Sequence, residues 1–185
     1  MTSFTSSRER KLWIALVLVL LGIFLTLGVA NTLAEELRNR ELFDMLFVVG
    51  FLLLLGAVAT QGFTRRPGIA ELGIVAGIAG VYLMVVARIG IPEERTHLFE
   101  YSLVALLIYL ALAERRSNGG SAPLPWLTAI VVTAAIGLLD ELIQWILPGR
   151  TFDYRDVGFN ALAGLMAVAG VVGVAWAARR FATRE

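Results

Sequence analysis

The stretch IAELGIVAGIAGVYLMVVA, residues 69–87, decides the fold. Its single charge, Glu71, lies near the start. Coiled as a helix at about 1.5 Å per residue, the stretch is about 28 Å long, close to the ~30 Å hydrocarbon core of a bilayer. Backbone polar groups in lipid must be satisfied within the segment, so a lone apolar run of this length is a transmembrane helix.

Five further runs read the same way. They span about Leu12 to Ala34, Met45 to Phe63, Thr96 to Ala113, Pro125 to Leu147 and Val157 to Ala178. Of the 185 residues 58% are hydrophobic and only 17% charged, whereas a soluble domain carries roughly a quarter charged residues. The charges cluster between the runs, and the connections are too short for a soluble domain. The expected fold is all-α: a polytopic membrane bundle of six helices, with short links that make neighbours antiparallel.

Basic residues orient the bundle. Arg8, Arg10, Lys11, Arg65, Arg66, Arg115, Arg116, Arg179, Arg180 and Arg184 share one side, ten of the sixteen. The other six accompany eleven of the fifteen acids. This predicts both termini in the cytoplasm. Trp13, Trp126 and Trp176 fall at inner ends and Trp145 at an outer end, where amphipathic rings collect. The first run exceeds the ~7–15 apolar residues of a signal peptide and reads as an uncleaved helix. Gly73, Gly77 and Gly80 read as a close-packing face within the bundle. Ser117 to Ser121 reads as a flexible turn.

With no cysteine, disulfides and thiolate metal sites are excluded. A net charge of +1 without a basic face gives no reason to expect nucleic acid. No cofactor motif is present.

The chemistry lies in the second half. The fourth run opens with His97, Glu100 and Tyr101, spaced to share a helix face. The fifth closes with Asp140, Glu141 and Gln144. A Pro148-Gly149-Arg150 turn follows. Asp156 then opens the sixth run in an N-cap position, with Asn160 one turn deeper. By the topology above these helix ends lie at one outward level. Ionisable groups at membrane depth face the interior, pair and mark function, so an outward polar pocket is expected. Arg150 is the natural counter-ion for Glu141 or Asp156. Plainer readings stand beside these: Asp140 facing water, Tyr101 as an interfacial anchor, Asp153 and Arg155 as exposed loop charges.

The order Asp140-Glu141-x-x-Gln144, Pro148-Gly149-Arg150, Asp156, Asn160, preceded by Arg95-Thr96-His97-Leu98-Phe99-Glu100-Tyr101, resembles the signature of the VanZ-like family. The resemblance covers Glu93 to Gly173. Two positions depart from the family pattern. Glu93-Glu94 stands where an acidic–basic pair is usual, and Ala163 stands where glycine follows the asparagine. The resemblance implies a multi-pass protein of the bacterial cytoplasmic membrane and a link to glycopeptide (teicoplanin) susceptibility.

The chain then divides into a three-helix scaffold (1–92), a VanZ-like domain (93–178) and a tail (179–185). The expected function is binding of an amphiphilic or lipid-linked ligand, such as a cell-wall precursor or a lipoglycopeptide. Glu141, Gln144, Arg150, Asp156, Asn160, His97, Glu100 and Tyr101 would form the site, with membrane lipids as the surrounding partners. The alternative is an intramembrane hydrolase or transferase, with His97 as general base or acid and Glu100 or Glu141 tuning it. A transporter ranks behind both, because acids confined to one end make no continuous path.

Overall fold

A computed structural model describes residues 4–27, 68–88, 92–147 and 151–181, with six isolated helical positions between 45 and 56. The described residues form five helices: α1 (Ser7–Thr26), α2 (Ile69–Arg88), α3 (Pro92–Ser117), α4 (Pro125–Ile146) and α5 (Tyr154–Phe181). Four of these are long and apolar enough to cross a membrane. The described part of α1 is the exception, because Arg8, Glu9, Arg10 and Lys11 crowd its first turns.

Local chemistry sets each helix end. The Ser6 hydroxyl accepts the Glu9 N–H at 3.0 Å and caps α1. Glu71, three residues past Gly68, reaches back to accept that residue's N–H, half of a capping box. Proline in the first turn costs nothing there, because its missing N–H would be unpaired anyway; α3 and α4 both begin this way. At the end of α3, Gly119 N–H reaches Arg116 O at 3.2 Å and Gly120 N–H reaches Arg115 O at 2.9 Å. With Gly119 at φ 78°, this is a Schellman cap. The segment expected to be a flexible turn therefore has a defined geometry. A side chain at Gly120 would sit 2.8 Å from Thr5 and Arg115, so glycine there lets the N-terminal segment close on α3.

Side-chain pairs fix the helix directions. The start of α1 meets the end of α3 through Ser6–Glu114 (2.8 Å) and Glu9–Arg115 (2.9 Å). The end of α2 meets the start of α3 through Tyr82 and Ser102, whose hydroxyls are 2.6 Å apart. The start of α3 meets the end of α4 at Tyr101–Asp140. A side chain at Gly173 would touch Ile74 at 3.4 Å, so late α5 lies beside early α2. Neighbours are therefore antiparallel. Arg8, Arg115, Arg179 and Arg180 gather at one end, the basic end. Arg88, His97, Asp140 and Asp153 lie at the other, the acidic end.

Within the described bundle α5 is the central helix, packed on α2, α3 and α4, while α1 packs on α3. Its buried face includes Asn160, Ala163, Gly164, Ala167, Gly170, Val171, Val174 and Ala177. Lipid gives no hydrophobic drive for helices to associate, so small residues and close van der Waals contact do the work. Leu16, Ile23, Val104, Ile108, Ala129 and Val168 fill one cluster toward the basic end. Tyr82, Leu98, Tyr101, Ala163 and Met166 fill another beneath the acidic end.

The last four expected runs coincide with α2 to α5, each helix reaching to or a few residues beyond the apolar limits except at the C-terminus of α4. The end of the first run and nearly all of the second lie outside the described residues. The glycine face of α2 differs from expectation. A side chain at Gly73, Gly77 or Gly80 would meet nothing within 4 Å among the described residues. Only Glu71, Tyr82 and Val86 of α2 are buried, so the helix packs through its large residues.

Candidate functional site

The site grows out of one stripe on α4. Pro125, Ala129, Thr133, Gly137, Asp140, Glu141 and Gln144 are its buried positions. A spacing of three or four residues keeps them on one face. The lower half is small, which lets α5 approach. The upper half is acidic and amide, and points into the same interface.

Asp140 is fully buried. The Tyr101 hydroxyl, also buried, donates to its Oδ2 at 2.8 Å. His97 Nδ1 lies 3.8 Å from the same oxygen, beyond hydrogen-bond length. One turn apart on α3, the rings of His97 and Tyr101 stack with centroids 6.1 Å apart. Asp140 is thus an interior group and Tyr101 its partner; neither is the water-facing acid or interfacial anchor of the plainer readings. Glu100 lies within electrostatic reach of His97 and Asp140.

Glu141, 1% exposed, turns toward the start of α5. Its Oε2 accepts the Asp153 N–H at 3.0 Å, and Gln144 donates to its Oε1 at 3.4 Å. It is also in electrostatic reach of Asp156 and His97. Asp153 precedes α5 and accepts the Arg155 N–H at 2.8 Å. The cap of this helix is Asp153, and Asp156, expected as the cap, sits in the first helical turn. The chain reverses tightly enough for the α5 N-terminus to hold the α4 carboxylate. Arg155 is exposed, as its plainer reading had it, but sits in the first turn of α5 and not in the loop.

Asn160 is buried deeper, against Gly137. A Cβ on Gly137 would lie 2.6 Å from Asn160 Cβ and 2.8 Å from its Nδ2. Only glycine lets the amide lie this close to the α4 backbone, one turn before the two acids.

Among the described residues several buried polar atoms here have no hydrogen-bond partner: Asp140 Oδ1, His97 Nδ1, both amide atoms of Asn160 and Thr133 Oγ1. Each such atom costs roughly 1–3 kcal/mol relative to a satisfied one. A row of them reads as a place built for something else.

The structure therefore brings together His97, Glu100, Tyr101, Asp140, Glu141, Gln144, Asp156 and Asn160. Pro148, Gly149 and Arg150 lie outside the described residues. Among the described residues no three His, Asp or Glu side chains are grouped to hold a metal ion. Thr133 and Gly137 were not singled out from sequence. Their signal was the four-residue spacing Ala129, Thr133, Gly137, which runs straight into Glu141.

Another fully buried carboxylate lies at the basic end, also unanticipated. Glu9 precedes the apolar part of α1 and is fully buried. It accepts from the Thr5 N–H (2.6 Å), the Thr5 hydroxyl (2.7 Å), Trp13 Nε1 (3.3 Å) and Arg115 (2.9 Å). Burial alone would raise its pKa. The bonds from Thr5, Trp13 and Arg115 outweigh that and hold it below the ordinary carboxylate value.

Comparison with curated proteins and with solved structures returned no match. A sequence model of the VanZ/LLP1 family matches residues 13–176. The match begins at Trp13, far upstream of the stretch that carried the resemblance, and takes in the first helices as well as the polar constellation. With four helices able to cross a membrane and a family match over most of its length, this chain is a membrane protein of the VanZ/LLP1 family.

Proposed function

We propose that the acidic end is an outward-facing pocket that binds an amphiphilic or lipid-linked ligand of the bacterial envelope, and so sets glycopeptide susceptibility. The observation that carries this reading is the set of buried, unpartnered polar atoms of Asp140, Asn160 and His97 where three helix ends meet. A ligand head group would satisfy them while its apolar part stayed in lipid beside exposed Leu139, Leu142 and Trp145.

In this reading the chain crosses the cytoplasmic membrane six times with both ends inside. Support comes from the helix ends: α1 and α2 both start at the basic end, which suits an even number of crossings from the start of one to the start of the other. The basic residues of that end then face the cytoplasm. The chain lacks cysteine, so a Phe152→Cys variant offers a single label site. An impermeant maleimide should label it on intact cells; labelling only after lysis would reverse the orientation.

The functional test is teicoplanin susceptibility in cells carrying Glu141→Ala or Arg150→Ala at wild-type membrane levels. Both should lose any effect of the wild-type protein. Full effect in both would overturn the reading.

The His97–Asp140 approach favours a second reading, an intramembrane hydrolase or transferase acting on an envelope lipid. A carboxylate beside one ring nitrogen orients an imidazole for general-base work. Loss of turnover of a lipid substrate in His97→Gln, with ligand retention intact, would establish it.

A further inference from the structure

The unpartnered atoms have a sign. Asn160 Oδ1 can only accept hydrogen bonds, Asp140 Oδ1 accepts in the ionised acid, and His97 Nδ1 accepts in the neutral tautomer that carries its proton on Nε2. Against them stands one obligate donor, Asn160 Nδ2. Asp140, Glu141 and Asn160 are all at least nine-tenths buried. Glu141 already has its donors, Asp153 N–H and Gln144, whereas among the described residues Asp140 has only the Tyr101 hydroxyl on one oxygen. Among the described residues no guanidinium or ammonium forms an ion pair with either acid. The Asn160 amide lies against Gly137, one turn before the two acids on α4. Among the described residues no three acidic or histidine side chains are grouped for a metal ion. An ammonium group meets the requirement better: it has three N–H donors and one positive charge, and tolerates wider spacing than a metal.

Building on the amphiphile-binding reading, we infer that the pocket selects a protonated primary amine carried on an apolar chain. The ammonium sits between Asp140 and Asn160 and donates to their open oxygens, and the chain runs out beside Leu139 and Trp145. A lipid head group and a soluble amphiphile can both supply this chemistry.

The test is native mass spectrometry of the full-length protein in a maltoside micelle, titrated with dodecylamine, dodecyl phosphate and dodecanol. Dodecylamine should bind at least tenfold more tightly than either of the others. Asp140→Asn should weaken it about tenfold and leave dodecanol unchanged, and Asp140→Glu should recover part of the loss. Asn160→Leu provides a second variant should Asp140→Asn misfold. Equal or tighter binding of dodecyl phosphate, or unchanged amine binding in both Asp140→Asn and Asn160→Leu, overturns the inference while leaving a pocket. Retention of none of the three by folded protein overturns the amphiphile reading itself. Phosphatidylethanolamine that co-purifies with wild type and is lost in Asp140→Asn marks a membrane lipid as the source; dodecylamine binding without it marks a soluble amphiphile.

Discussion

Each end of the bundle buries a carboxylate completely, and the two are treated in opposite ways. At the basic end, Glu9 receives four donors from Thr5, Trp13 and Arg115. At the acidic end, among the described residues, Asp140 has one hydrogen bond, from Tyr101, and one oxygen without a partner, and the Asn160 amide has none. A satisfied buried acid holds structure together. An unsatisfied one costs stability. Under the proposed ligand-binding reading, the difference separates a clamp from a site.

The largest expected effect breaks the clamp. Glu9→Ala removes the acceptor of the Trp13 and Thr5 donors and the Glu9–Arg115 tie between α1 and α3, leaving Ser6–Glu114 and the apolar contacts. A loss of about 2–4 kcal/mol is expected, read as a lower unfolding midpoint in detergent. An unchanged midpoint would mean that Glu9 is no clamp. Next comes Gly137→Ala. Its new methyl would stand 2.6 Å from Asn160 Cβ, forcing α4 and α5 apart at a cost of roughly 1–3 kcal/mol. Gly158→Ala is the control on the same interface level, since nothing lies within 4 Å of a Cβ there. It should be neutral, or stabilise by up to about 1 kcal/mol through helix propensity.

A smaller effect follows from pH. The pKa of Glu9 is lowered on folding from an ordinary value near 4.5. Its contribution is therefore complete above that value and is lost as pH falls through the lowered folded pKa. Thermal midpoints of wild type and Glu9→Gln should differ at neutral pH and converge in the acid range below 4.5. A gap that persists unchanged to the lowest pH reached would assign the stabilisation to something other than the ionised carboxylate.

Much of this was legible in the sequence, for physical reasons that vary by region. Apolar length alone located α2 to α5, because a bilayer fixes how long a spanning helix must be. The acidic constellation was legible too, since acids, an imidazole and amides fell at ends that antiparallel packing must bring together. What spacing could not supply was the pairing between helices. Tyr101 with Asp140, and Asn160 against Gly137, depend on the rotation of α3 and α5 about their axes. The cap of α5 shifted from Asp156 to Asp153 because the turn after α4 hands its backbone N–H to Glu141. Glu9 escaped notice for a different reason. Surrounded by Arg8, Arg10 and Lys11, it looks like one more solvated charge. Only the folding of Thr5 and Arg115 over it makes it interior. The glycines of α2 carried a packing motif without a partner among the described residues, which shows how weak such a motif is when read alone.

The contrast between clamp and site is tested most directly by substituting Asn for Asp140 and Gln for Glu9, each keeping side-chain size and removing the charge. The unfolding midpoint of each variant is measured against wild type in the same ligand-free micelle at neutral pH. A carboxylate held for a ligand predicts that Asp140→Asn, which still accepts from Tyr101, unfolds at or above the wild-type midpoint, while Glu9→Gln unfolds below it. A fall in Asp140→Asn as large as that in Glu9→Gln would contradict the distinction and make both acids structural.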